Sequence, residues 1–138
     1  MKLNGSCFCG EIHYEAEADE SRIALCHCRD CQITAGATYR VNAWVDPADF
    51  HYTKGEPSYF EKIADSGNVR RLSFCSTCGT QLCSEPPDPQ PGTGFISVRV
   101  ATAREFLQLK PSIEIYCDSR APWLDDLPGT TTFAKMPG

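Results

Sequence analysis

The amino-acid sequence predicts one mainly β domain with short helical turns. Apolar residues recur with a two-residue period in several segments, a turn-forming tetrapeptide separates two of them, and helical spacing is weak and short throughout. The 138 residues are one domain's length, long enough to bury a core. The domain is taken as residues 1–138.

Taken in order, Ile12, Tyr14 and Ala16 alternate with His13, Glu15 and Glu17, as in a strand with one face buried. Residues 29–35 predict a helical turn or two, residues 38–45 a second strand, and residues 47–50 another short turn. Residues 58–63 and 69–74 read as strands, joined by the hairpin turn Asp65-Ser66-Gly67-Asn68. The stretch EPPDPQPGTG at 85–94 holds four prolines and two glycines and reads as an elongated connection rather than a domain boundary. Residues 95–100 predict a further strand, and Thr102 a cap over a short turn at 103–107.

Composition restricts the partners. The formal charge is −5, and the nearest thing to a basic run is the pair Arg70-Arg71, so nucleic acid is not an expected partner. The first residues, MKLNGSCFCGEI, hold no apolar run of signal-peptide length, and nothing later approaches the ~20 apolar residues of a membrane span. The expected compartment is the cytoplasm, where thiols stay reduced and clustered cysteines bind metal more often than they cross-link.

Nine cysteines therefore demand an account, and seven fall in three clusters: CFCG from Cys7, CHCRDC from Cys26, and CSTCG from Cys75. Residues i and i+2 of an extended strand point to one side, so Cys7 and Cys9 can offer two sulfurs to one ion. In Cys75-Ser76-Thr77-Cys78 a tight turn does the same, and the glycine after each pair supplies the backbone freedom that the turn needs. Two such pairs make a closed, four-sulfur zinc site of the structural kind, whose binding energy is part of the folding energy. Cys26, Cys28 and Cys31 supply three thiolates, the number a catalytic zinc uses while keeping a position for water or substrate. His27 is a poor fourth ligand, since it lies between two coordinating neighbours and points away from their metal. A different division of the sulfurs, or an empty or disulfide-linked trio, stays open at this point. Cys83 and Cys117 sit in apolar, strand-like contexts and read as buried fillers; His13 and His51 read as surface or hydrogen-bonded side chains.

GSCFCGEIHY at 5–14, CHCRDCQITAG at 26–36, FCSTCGTQL at 74–82 and SRAPWLDDLPG at 119–129 together resemble the glutathione-dependent formaldehyde-activating enzyme family, which includes centromere protein V. The resemblance implies twisted, mostly antiparallel β-sheets carrying two zinc ions per chain. It implies a structural zinc on Cys7, Cys9, Cys75 and Cys78 and a catalytic zinc on Cys26, Cys28 and Cys31. The activity it implies joins formaldehyde and glutathione into S-hydroxymethylglutathione, a carbon–sulfur lyase reaction when reversed. Gln32 stands where the family commonly has arginine, and Glu114 and Tyr116 occupy a stretch where it frequently has histidine.

An open zinc can hold a substrate thiol as thiolate, the nucleophilic form, which adds to a carbonyl. Three thiolates already donate heavily to the metal, which favours thiol capture over water activation. Glutathione carries two carboxylates, so its pocket calls for cations: Arg29, Arg40, Arg70, Arg71 and Arg120 are the candidates, with Trp44 and Trp123 as walls. Asp30 and His27 could move protons near the metal. The function expected is a zinc-dependent carbon–sulfur lyase acting on a thiol adduct such as S-hydroxymethylglutathione. The alternatives are a non-catalytic zinc module that carries glutathione or contacts a protein partner, and a zinc store or redox sensor using the trio as its switch.

Overall fold

Among the described residues, 1–137 of the computed structural model, eleven strands form two sheets. The smaller sheet is antiparallel, in the order β1 (Lys2–Ser6), β2 (His13–Glu17), β5 (Phe50–Lys54). The larger has eight strands. One half runs β11 (Thr131–Thr132), β10 (Ile113–Ile115), β3 (Ile23–Cys26), β4 (Arg40–Val45). The other half continues β9 (Ile96–Arg99), β8 (Gln81–Glu85), β7 (Val69–Phe74), β6 (Ser58–Ile63). Pairing is antiparallel except where β10 runs parallel to both β3 and β11.

The two-residue period decides what each face of the larger sheet meets. Ala43, Val45, Leu82, Cys83, Ile96 and Val98 pack on Leu3, Tyr14, Ala16 and Phe50 of the smaller sheet, forming one core between the layers. One step along the same strands, Arg40, Asn42, Trp44, Arg70, Leu72, Ser84, Ser97 and Arg99 turn to the other face and line a cavity. Register places Asn42 opposite Arg99 and Trp44 opposite Ser97. Across this cavity Lys62 of β6, the edge strand, pairs at 2.6 Å with Asp30 of the helix α1 (Arg29–Ala35), which follows β3.

The expected hairpin at 65–68 forms, with Ala64 N–H donating to Asn68 C=O at 2.8 Å. The expected helical turns at 29–35 and 47–50 also form, the second as a short 3₁₀ turn begun by Pro47. The expected cap at Thr102 does not. Thr102 instead ends a 3₁₀ turn, with its hydroxyl donating to Arg99 C=O at 2.7 Å and lying 2.8 Å from the Tyr14 hydroxyl. Those partners occupy the oxygen that a cap would use, and the next helical turn begins only at Phe106.

Tyr14 also explains Gly5, its direct partner across β1 and β2. A Cβ on Gly5 would fall 1.9 Å from the Tyr14 ring, which is fully buried. Gly5→Ala is therefore expected to displace a core aromatic. Overpacking of this kind costs ~1–3 kcal/mol, and a thermal melt should show a drop of roughly 3–10 °C. An unchanged melting temperature would mean that the ring moves aside freely.

Candidate functional site

Two separate sulfur clusters form, one from the loops after β1 and β7 and the other from the end of β3 and the start of α1. In the first, the Sγ atoms of Cys7, Cys9, Cys75 and Cys78 all lie within 4.8 Å of one another. Cys7 and Cys9 follow β1, and Cys75 and Cys78 lie in the β7–β8 turn. Gly10 and Gly79, just past each pair, take φ of +82° and +79°, the left-handed backbone that reverses the chain after the second cysteine. The Cys7–Cys9 and Cys9–Cys75 sulfurs stand 3.7 Å apart. Zinc–sulfur bonds of ~2.3 Å in a tetrahedron put sulfurs about 3.8 Å apart, so this donor set fits zinc without rearrangement. Backbone and hydroxyl donors surround it: Ile12 N–H reaches Cys7 Sγ at 3.3 Å, and Thr80 Oγ1 lies 3.2 Å from Cys78 Sγ. The Thr80 hydroxyl and amide bring the Cys78 thiol down to about 5.

In the second cluster, the Sγ atoms of Cys26, Cys28 and Cys31 lie within 4.8 Å of one another. Cys26 ends β3, Cys28 caps α1 by accepting from Cys31 N–H at 3.3 Å, and Cys31 sits in the first turn of that helix. Cys31 is held far below the usual thiol range by hydrogen bonds from Cys26 and Cys28, with Arg99 and Arg40 adding to the effect. Cys26 is pushed correspondingly upward by Cys28 and Cys31. A group of thiols sharing protons beside two guanidiniums gives up protons readily to a metal, and so the donor chemistry fits zinc here too.

His27 lies between these sulfurs in sequence and apart from them in space. It is buried, with Nε2 2.9 Å from Glu114 Oε1 and its backbone N–H donating to Ile115 C=O at 3.0 Å. Glu114 was not foreseen as a site residue. Its carboxylate also accepts from Leu127 N–H at 3.0 Å, Thr130 Oγ1 at 2.7 Å and Arg120 Nη2 at 3.4 Å. His27, Glu114 and Cys117 are close enough to suggest a third metal site. The Arg120 guanidinium, 3.2 Å from Cys117 Sγ, brings a positive charge into that space, and the group reads as a hydrogen-bonded hub. The signal for it in the sequence is an acid between two isoleucines in a strand. Gln32, the departure from arginine, ties the same region down by donating to His27 C=O at 2.7 Å and Ser119 C=O at 3.0 Å.

The cavity beside the trio measures about 630 Å³ and is lined by Cys26 and Cys31. Of the side chains expected at a substrate, Arg40, Arg70 and Trp44 line it. Arg29, Arg120 and Trp123 do not. Arg29 is exposed on α1 and donates to Gln32 Oε1 at 2.7 Å, Arg120 is held in the Glu114 hub, and Trp123 is 70% exposed on the following loop. Arg71 also stays outside, stacked 3.7 Å over the Tyr59 ring. Arg99, which sequence reasoning missed, lines the cavity; burial, with Arg40 alongside, pushes it down to about 10.

The sequence model of the glutathione-dependent formaldehyde-activating enzyme family matches residues 2–119. The chain belongs to that family. An uncharacterized lyase of Schizosaccharomyces pombe is 32% identical over an alignment of 86 residues that covers 59% of this chain and 56% of the yeast protein. The chain thus spans little more than half the length of that curated relative. A crystal structure of a Rhodobacter sphaeroides protein shares the fold, with a TM-score of 0.56 at 21% identity, covering 75% of this chain and 88% of the other.

Proposed function

We propose that the chain is a zinc-dependent carbon–sulfur lyase acting on a thiol adduct of the S-hydroxymethylglutathione type. The observation that carries this reading is the division of labour between the clusters. Four sulfurs fit a closed site, whereas Cys26 and Cys31 of the trio line a cavity large enough for a small-molecule ligand. Family membership and the lyase name of the yeast relative support it.

Cys7, Cys9, Cys75 and Cys78 would hold the structural zinc, and Cys26, Cys28 and Cys31 the second. A zinc held by three thiolates would stabilise the substrate sulfur as thiolate. In the lyase direction the carbon–sulfur bond breaks, the adduct's hydroxyl becomes the carbonyl of formaldehyde, and its proton ends on sulfur or water. No electron is gained or lost. Asp30, exposed and paired with Lys62, is among the lining residues, and the proton would leave to solvent where the cavity opens there. Trp44, set against Phe95 at 5.1 Å between ring centroids, walls the cavity beside the trio. The working compartment would be the cytoplasm, where these thiols stay reduced. Among the described residues no helix is long and apolar enough to cross a membrane.

Zinc content per chain, in the native protein and in Cys28→Ser, tests this reading. The expected result is two equivalents falling to one, with the melting curve largely retained and formaldehyde release from the adduct lost. One equivalent in both proteins would sink the catalytic-zinc reading.

A further inference from the structure

The open face of the larger sheet carries three arginines into one cavity: Arg40 from β4, Arg70 from β7 and Arg99 from β9. Arg70 is satisfied by the fold. Its Nε donates to Ser84 Oγ at 2.9 Å, its Nη2 to Ser84 C=O at 2.8 Å and Phe95 C=O at 3.2 Å, and its guanidinium lies 5.1 Å from the Phe95 centroid. Lys62, also in the lining, is neutralised by Asp30.

Arg40 and Arg99 are different. They are 7% and 6% exposed, and among the described residues no carboxylate comes within ion-pair reach of either. Arg40 donates to Thr34 Oγ1 at 2.8 Å. Arg99 donates through Nη1 to Asn42 Oδ1 at 3.1 Å and Ser97 C=O at 3.4 Å, while its Nε is buried with no partner. Desolvating a guanidinium costs several kcal/mol unless an anion compensates it. The trio compensates in part: three thiolates around one zinc dication leave one negative charge against two guanidiniums. Among Arg40, Arg99 and the trio one positive charge stays unmatched at the wall of a cavity, and an arginine fork suits a carboxylate geometrically.

We infer that Arg99, assisted by Arg40, binds one carboxylate of the ligand, and that the ligand's apolar portion lies on Trp44 and Phe95. Calling that ligand the substrate rests on the lyase reading above; the anion site itself does not. The site selects a carboxylate-bearing thiol with an apolar body. A second carboxylate, such as glutathione's, would find Arg70 and Lys62 already engaged. Asn42 keeps the Arg99 fork oriented from the neighbouring strand, and so the recognition is built into the sheet rather than into a loop.

Calorimetric titration of the zinc-loaded chain with 3-phenylpropionate and with its neutral counterpart, 3-phenylpropanol, tests the inference. The acid is expected to bind roughly 10–100-fold more tightly, the range of a hydrogen bond to a charged group. In Arg99→Met and in Arg40→Met, each checked by a melting curve, the acid should fall to the level of the alcohol while the alcohol is little changed. Equal binding of the two by the unmodified chain would overturn the inference, and that comparison needs no variant to fold. So would a preference that survives both substitutions, which would make the two arginines mere counter-charges to the trio. Formaldehyde release from the hydroxymethyl adduct of 3-mercaptopropionate, which carries both the thiol and the carboxylate, is measured alongside. Its absence would sink the lyase reading and leave the anion site standing.

Discussion

Cys75→Ser is expected to lower the melting temperature by ~15 °C or more, the largest stability effect of any single replacement considered. Cys75 is buried, and its Sγ stands 3.7 Å from Cys9 Sγ across 66 positions of sequence. A zinc ion on these four thiolates would close that long loop and also dock β1 against the β7–β8 turn. Structural zinc sites contribute ~10–16 kcal/mol of binding energy in small peptides, comparable with the ~5–15 kcal/mol that stabilises a whole domain. Losing one ligand of four forfeits part of it. A loss of ~5 kcal/mol at ~3 °C per kcal/mol for a chain of this size accounts for the predicted shift. A strong chelator, which removes the whole contribution, should bring the unmodified chain down at least as far, and should lower the three-cysteine variant by less. A Cys75→Ser melt within ~3 °C of the unmodified chain would show that the packed core between the sheets holds this corner without metal.

That cluster was the most legible part of the molecule. CFCG and CSTCG each carry a local rule: two sulfurs on one side of the chain, then a glycine for the turn. Local rules survive any tertiary arrangement. The β6–β7 hairpin and the alternation around Tyr14 were legible for the same reason. What the sequence hid depends on both faces of a strand being covered. Ile23–Cys26 is buried at every position, so β3 shows no alternation. Arg99 alternates with Ile96 and Val98 and so looks like a solvent-facing residue of a half-buried strand. Only the pairing of β6 with α1 across that face encloses it and turns its polar side chains into a site. Arg29, Arg120 and Trp123 failed as cavity residues through the converse: nearness in sequence to a cysteine motif or a family signature says nothing about which side of the sheet a side chain reaches. The parallel contacts of β10 with β3 and β11 were equally hidden, since they join segments some 90 positions and some 18 positions apart with no hairpin between them.

Glu114→Ala is expected to cost ~3–5 kcal/mol, the usual effect of removing one member of a buried charged network and leaving the others unpaired. The carboxylate is 1% exposed and collects His27, Arg120, Thr130 and the Leu127 amide. Three of those partners belong to the segment after β10, which the carboxylate fastens at Arg120, Leu127 and Thr130. Removing the carboxylate should therefore free residues 120–130 first, visible as faster amide exchange at Leu127 and Thr130 than in β1 or β4. Hydrogen bonds from His27, Thr130 and Leu127, with Arg120, outweigh burial and hold the carboxyl below its ordinary value. Its contribution is thus complete above the ordinary glutamate range and is lost as pH falls through the lower folded value; it does not vary near neutrality. The unmodified chain should accordingly keep its tail protected at pH 6–8, and the alanine variant should lose protection across that whole interval. Because His27 sits between Cys26 and Cys28, loss of its partner should also loosen the trio, and zinc content should fall below two equivalents while the four-sulfur site stays filled. Unaltered exchange at Leu127 and Thr130, with both zinc ions retained, would show that the strand pairing of β10 with β3 secures this end of the sheet by itself.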